Sequence, residues 1–79
     1  MNLEQKIEAI LFWKGEPMSR KRLGEILKMG QTEINGGIEK LKESLKERGV
    51  VLLEKGNDVT FGTAPELSKL IEDLQKEGF

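Results

Sequence analysis

A short apolar run that ends in a turn constrains this chain more than any other stretch. Five consecutive apolar residues, Ala9–Trp13, are followed closely by Gly15-Glu16-Pro17, a segment that ends a helix. The helix before this stop, predicted over residues 2–14, has a stripe of four residues at helical spacing, Leu3, Ile7, Ile10 and Leu11. Phe12 and Trp13 fall outside that stripe. A first helix that is apolar on both sides indicates a partner surface in a chain of 79 residues.

Composition excludes several classes of protein. The chain is long enough for one small domain, and it contains neither cysteine nor histidine. This removes disulfides, thiolate metal sites, the usual general base and the commonest metal ligand. Thirteen basic and fourteen acidic residues give a net charge of −1, without the basic excess of a typical nucleic-acid-binding domain. We expect a cytoplasmic domain with no membrane span, no cofactor, no metal site and no enzymatic activity.

Caps and breaks predict the remaining elements. Ser19 is a suitable N-cap for a second helix and Gly30 for a third, which Arg48-Gly49 is expected to end. Gly56-Asn57-Asp58 separates two β-branched segments as a hairpin turn. Met18 is expected to pair with a later strand over a single rung. The predicted helices span 2–14, 20–28, 31–48 and 65–77, and the predicted strands span 50–55 and 59–63.

This order predicts a mainly α fold with a small β-hairpin, the winged helix-turn-helix arrangement, over a single domain of residues 1–79. The second helix should bury Leu23, Ile26 and Leu27, and the third should bury Ile34, Ile38, Leu41 and Leu45. Gly36-Gly37 interrupts the third helix. Either the helix is locally weak there or another backbone packs closely against it, and we favour local weakness.

Alternation along the hairpin places Val50 and Leu52 on one face of the wing, with companions on the second strand, and Val51 and Leu53 on the other. The outward pair belongs either to a wing covered by its own domain or to a partner surface. Phe12 and Trp13 likewise belong either to a partner surface or to the core, where they would pack against the fourth helix. The candidate partner interface therefore comprises Phe12, Trp13, Val51 and Leu53.

A winged helix-turn-helix suggests DNA binding through its third helix, but the charges argue against this function. The basic residues of the third helix are offset by acidic ones, and its first turn contains no arginine. A DNA-binding transcription regulator stays the alternative hypothesis. Its candidate contacts are the basic residues Arg20, Lys21, Arg22, Lys40 and Lys55. The competing interpretation of Arg20, Lys21 and Arg22 is that they form the solvent-exposed first turn of the second helix and bind no partner.

Residues 7–19 read Ile-Glu-Ala-Ile-Leu-Phe-Trp-Lys-Gly-Glu-Pro-Met-Ser. This segment resembles the opening signature of the segregation and condensation protein B family, which typically reads EAILF, two residues and GEPLS. The similarity extends over essentially the whole chain, through Leu23, Ile26-Leu27, Arg48-Gly49, Thr63 and Pro65-Glu66.

The resemblance implies the N-terminal winged-helix domain of a longer two-domain protein, and Gly78-Phe79 looks like a chain cut at a linker. Members of this family are non-enzymatic accessory subunits of the condensin-like complex. They form homodimers and bind the kleisin subunit, segregation and condensation protein A, which connects them to the structural-maintenance-of-chromosomes ATPase. The resemblance therefore implies a nucleoid-associated scaffold, and the balanced charge predicts weak or absent direct binding of nucleic acid.

Overall fold

The computed structural model describes residues 1–78 and combines four α-helices with a three-stranded antiparallel sheet. The helices are α1 (Leu3–Lys14), α2 (Arg20–Leu27), α3 (Gln31–Ser44) and α4 (Ser68–Lys76). The strands are β1 (Met18–Ser19), β2 (Val50–Lys55) and β3 (Asp58–Thr63), and a short 3₁₀ turn, Pro65–Leu67, precedes α4. The predicted winged helix-turn-helix fold is confirmed.

Local side-chain chemistry places the helix ends. Asn2 and Gln5 form a capping box at the start of α1, in which the Asn2 side chain accepts from the Gln5 amide at 2.9 Å. Gly15 ends α1 in the left-handed conformation (φ 69°), as its position before Pro17 predicts. Ser19 caps α2, because its hydroxyl accepts from the Arg22 amide at 3.0 Å.

The sheet has the order β1-β3-β2, so that β3 lies in the centre. Met18 pairs with Val59, which confirms the predicted one-rung strand. In the hairpin, Lys55 pairs with Asp58, and the two residues between them form a tight turn that begins with Gly56 at φ 62°. Leu52 lies opposite Phe61 on the face that meets the helices.

The core lies between α1, α2, α3 and the inner face of the sheet. Its members are large aliphatic side chains contributed by five elements, Ile7, Leu11, Leu23, Ile34, Ile38, Leu41, Leu52 and Val59. The predicted stripe of α1 supplies Ile7 and Leu11 fully, and Ile10 packs at the edge of the cluster. Helix α4 contributes no buried residue.

The predicted end of the third helix is wrong by one turn. Helix α3 ends at Ser44, and not at 48, and the Ser44 hydroxyl donates to the Leu41 carbonyl at 2.8 Å in its last turn. The chain then leaves the helix through short-range bonds, such as Arg48 amide to Leu45 carbonyl at 3.2 Å. The left-handed residue in this turn is Glu47 (φ 63°), so that Gly49 does not serve as the helix cap.

Ile26 was expected in the core, but it is 40% exposed. The buried residues of α2 are Leu23 and Gly24, and Leu27 packs against the core from the same side. At 100° per residue the midpoint between Leu23 and Leu27 lies about 80° from Ile26, and buried Gly24 shifts the covered face further from Ile26. The apolar stripe of this two-turn helix is therefore wider than the surface that it covers.

Helix α3 runs through Gly36-Gly37 without a break, and the local weakness expected there stays a prediction. A Cβ atom on Gly37 would lie 2.8 Å from Leu3 Cδ2 and 2.9 Å from Ile7 Cδ1, whereas a Cβ on Gly36 would meet nothing within 4 Å. Side chains of α1, and not another backbone, therefore occupy the space at Gly37. The glycine permits close packing of α1 on α3.

The fourth helix begins later than predicted. Pro65 opens a 3₁₀ turn, and the α-helix follows from Ser68 to Lys76. The Leu67 amide donates to the Ala64 carbonyl at 2.9 Å in this turn. Gly78 is left-handed (φ 80°), and Phe79, on which part of the linker interpretation rested, lies outside the described residues.

Candidate interaction surfaces

The end of α1 is apolar and open to solvent. Phe12 is 81% exposed and Trp13 is 83% exposed, so neither packs in the core or against α4. Both follow Leu11, the last core residue of this helix. The alternative in which these aromatic residues fill the core of their own domain is therefore excluded for residues 1–78.

An open apolar groove lies between α1 and the sheet. Phe12 and Ala9 form one side, and Val50 and Phe61 form the other, since both face the helices from the sheet. Val50 is 51% exposed, because α1 does not cover the end of β2. The rim of this groove is polar and includes Gln5, Glu8 and Arg48.

Val51 and Leu53 lie on the opposite face of the wing and are half-buried. The Leu53 side chain lies across Gly62, so closely that a Cβ on this glycine would collide with it. The wing therefore covers part of its own outer face. Among the four predicted interface residues, only Phe12 lines the groove, and Val51 and Leu53 form a separate surface.

Helix α4 and the 3₁₀ turn before it carry an apolar stripe at helical spacing in the sequence. Leu70 is 54% exposed and Leu74 is 40% exposed, and Leu67 and Ile71 are half-buried. The helix makes its main contacts with the 3₁₀ turn before it. The apolar stripe was the sequence signal that could have identified α4 as an interaction surface. The core is already formed by the three preceding helices and the sheet, which leaves this stripe without a place in it.

The basic residues proposed for DNA contact do not form one patch of free charge. Arg20 donates to the Asn35 side chain at 2.8 Å and lies 3.6 Å from the Glu54 carboxylate. Arg22 pairs with Glu25 at 3.4 Å, whereas Lys21, Lys40 and Lys55 are exposed. Helix α3, which would enter the major groove, carries three acidic residues and two lysines. The electrostatic contribution to phosphate binding is correspondingly small.

Glu54 connects the wing to two helices. It accepts from Lys42 at 3.1 Å on α3 and lies near Arg20 on α2. The hydrogen bond to Glu54, followed by the attraction of its charge, raises the pKa of the Lys42 ammonium above its ordinary value. Because the pKa of Lys42 is raised, the contribution of its charge is present at neutral pH and is lost as the pH rises through that pKa.

No group of three or more acidic, histidine or cysteine side chains within residues 1–78 is arranged to hold a metal ion. Among the same residues, no helix is long and apolar enough to cross a membrane. Every buried side-chain nitrogen or oxygen atom in this part of the chain has a hydrogen-bond partner.

A winged helix with paired basic residues, an acidic third helix and open apolar surfaces is typical of the winged-helix domains that contact other proteins. The chain belongs to the family described as segregation and condensation complex subunit ScpB, whose model matches residues 5–78. The resemblance in the opening signature is thereby confirmed.

Similar proteins agree with this family. Segregation and condensation protein B of Carboxydothermus hydrogenoformans is 36% identical over 78 residues, which cover 96% of this chain and 42% of that protein. The protein of the same name from Clostridium botulinum (strain Kyoto / Type A2) is 36% identical over 72 residues, or 89% of this chain and 37% of that protein. The chain thus spans about two fifths of the length of these relatives.

Two solved structures share the fold. A crystal structure described as the dimer of the ScpB N-terminal domain complexed with ScpA peptide matches with a TM-score of 0.79 and 27% identity, over 90% of this chain and 91% of that one. ScpB from Mycobacterium tuberculosis matches with a TM-score of 0.83 over 96% of this chain and 49% of that one. Its identity of 17% supports the fold alone.

Proposed function

We propose that this chain is a non-enzymatic interaction module of a condensin-like chromosome segregation complex. In this role it self-associates as a homodimer and binds the kleisin subunit, segregation and condensation protein A, through which it reaches the structural-maintenance-of-chromosomes ATPase. The observation that carries the proposal is the similarity, over 90% of the chain, to an ScpB N-terminal domain that was solved as a dimer with an ScpA peptide. The proposed location is the cytoplasm, in association with the nucleoid.

We also propose that the chain corresponds to the N-terminal domain of a two-domain protein. Its similarity to an isolated N-terminal domain supports this, as does the share of 42% that it covers in the relative from Carboxydothermus hydrogenoformans. The comparisons give no support to the alternative of a DNA-binding transcription regulator. The charge pairing of Arg20 and Arg22 argues in the same direction.

Phe12, Trp13, Val51 and Leu53 are the proposed contact residues for protein partners. Exposed aromatic side chains support this role at the end of α1, because Phe and Trp contribute large contact areas at interfaces. The half-buried pair on the wing supports it more weakly, since Leu53 already covers Gly62.

Calorimetric titration with the kleisin from the same organism tests the proposed binding, and light scattering tests the dimer. We expect saturable binding of the kleisin, and weaker binding by Trp13→Ala and by Leu53→Thr. Ile26→Ser is a matched control, since Ile26 is 40% exposed, lies on α2 and does not line the groove. A chain that binds no kleisin would contradict the proposed partner, and a strictly monomeric chain would contradict the proposed dimer.

A further inference from the structure

Helix α4 forms an apolar ridge that lacks a cover within residues 1–78. No residue of this helix is buried, and Leu70 and Leu74 are both exposed. Most of the stability of an amphipathic helix in a protein comes from packing its apolar face, and an isolated helix of nine residues is marginal in water. The ridge therefore needs an occupant on its apolar side.

The groove beside α1 has complementary chemistry, because its lining is largely apolar. Its walls are the apolar side chains Ala9, Phe12, Val50 and Phe61, and it runs between a helix and a sheet. A groove of this kind accepts the apolar face of an amphipathic helix. One chain thus carries both a ridge and a groove, and each is open to solvent.

We infer that α4 of each copy lies in the groove of a second copy of this chain, so that the two helices are exchanged reciprocally. This inference rests on the self-association proposed above and names its surface. The ridge of each copy lies in the groove of the other copy. Two-fold symmetry therefore makes the two contacts equivalent. Both open surfaces are then covered in one arrangement.

The exposed area is of the size that a dimer requires. An aromatic side chain presents 150–250 Å² in total, so that Phe12, at 81% exposure, leaves on the order of 150 Å² uncovered. With the valine and phenylalanine of the sheet and the leucines of α4, each copy exposes on the order of several hundred Å² of apolar surface. A standard interface buries about 800 Å² per partner, including its polar rim.

The charges of the two surfaces are also compatible. Residues 65–77 contain four acidic and two basic side chains, which gives this segment a net charge of −2. Arg48 lies at the rim of the groove and forms no ion pair within the described part of the chain. The same rim also carries Glu8, so that an acidic helix gains a favourable interaction only where it approaches Arg48.

Sedimentation equilibrium across the micromolar range tests the exchanged arrangement. The ridge variant is Leu70→Ser/Leu74→Ser, the groove variant is Phe12→Ser, and Ile26→Ser is the control, since Ile26 has the same 40% exposure as Leu74. We expect the ridge variant and the groove variant each to raise the dimer dissociation constant by about tenfold or more, and the control to leave it unchanged. Far-UV circular dichroism of each variant checks that the fold is kept.

Mixing the ridge variant with the groove variant gives the decisive result. In the mixed dimer, the intact helix of one chain meets the intact groove of the other, so that one of the two contacts is fully restored. We therefore expect the mixture to associate more tightly than either variant alone. Packing of α4 into the groove of its own chain would give no such complementation.

The outcomes separate this inference from the proposed function. If the wild-type chain is a dimer and the ridge and groove variants remain as tightly associated as the Ile26→Ser control, the exchanged helix is overturned while the dimer stands. Weakened variants that do not complement each other also overturn reciprocal exchange. A monomeric wild-type chain overturns the proposed self-association, and the exchange fails with it.

Discussion

At the scale of single residues, Gly37 shows most clearly how a side chain is excluded by its surroundings. It lies on α3 where Leu3 and Ile7 of α1 approach, whereas its neighbour Gly36 faces open space. The two glycines have the same intrinsic cost in a helix, about 1 kcal/mol relative to alanine. Only the packing against α1 distinguishes them, which makes them a natural pair for comparison.

We expect Gly37→Ala to lower the free energy of unfolding by about 1 kcal/mol. Overpacking costs about 1–3 kcal/mol, and the better helix propensity of alanine returns part of it. The new Cβ would displace Leu3 Cδ2, 2.8 Å away, and Ile7, whose side chain is fully buried. Urea denaturation followed by circular dichroism measures the change.

Gly36→Ala is the matched control, and it should raise the stability by about 0.5–1 kcal/mol. Since nothing lies within 4 Å of the added Cβ, propensity alone decides the sign. Equal effects of the two substitutions would show that α1 does not pack against Gly37 as described.

At the scale of elements, the wing is fixed by a side chain that lies across a neighbouring strand. Leu53 of β2 covers Gly62 of β3, diagonally across the hairpin, because Leu53 pairs with Thr60 and Gly62 pairs with Val51. Diagonal neighbours on one face of a sheet are within reach of long side chains. The outer face of the wing is thus partly covered without any contribution from a helix.

We expect Gly62→Ala to destabilise the domain by about 1–3 kcal/mol, because the added Cβ forces Leu53 out of its position. In the Leu53→Ala background the same substitution should cost much less. Thermal unfolding of the four proteins of this double-mutant cycle measures the coupling. Additive effects would contradict the contact between these two residues.

Local patterns were sufficient to predict most elements. Gly15 and Pro17 end α1, Ser19 caps α2, and the Gly56 turn separates the strands, since each of these signals acts within a few residues. The end of α3 was missed because its left-handed residue is Glu47, a residue type that gives no sign of this conformation in the sequence. The role of Gly37 depends on α1 and therefore could not be predicted locally.

The candidate site was predictable only in part for the same reason. The unbroken apolar run predicted that Phe12 and Trp13 lie outside the core stripe, and both are exposed. Alternation correctly placed Val50 on the inner face of the sheet, but it carried no information on whether α1 covers that residue. The stripe of α4 was visible, whereas the absence of a covering element along residues 1–78 is a property of the folded chain.

At the scale of the whole molecule, charge separates this domain from winged helices that bind DNA. The net charge is −1, and Glu54 lies against both Arg20 of α2 and Lys42 of α3, the two helices that would face a duplex. Non-specific affinity for DNA comes mainly from phosphate neutralisation and the release of counterions. The fold alone therefore does not confer it.

We expect a fluorescence titration with duplex DNA at low salt to show no saturable binding by this chain. A Glu54→Gln variant is the informative comparison, because it releases Arg20 and Lys42 from their acidic partner without changing the shape of the side chain. Any binding gained by this variant should weaken steeply with salt. Tight binding by the wild-type chain would contradict the protein-binding interpretation.

The lack of buried residues on α4 also has a consequence for dynamics. The molecule measures 43 Å along its longest axis and 24 Å and 21 Å along the others, and its radius of gyration of 13.8 Å exceeds the value of about 12 Å for a compact domain of this length. A helix held by so few contacts opens at little cost in free energy, so its amide hydrogens should exchange with deuterium long before those of α1 and α3. Their protection should then rise with protein concentration, and the rate of exchange in this one helix would report how much of the chain is assembled at any moment.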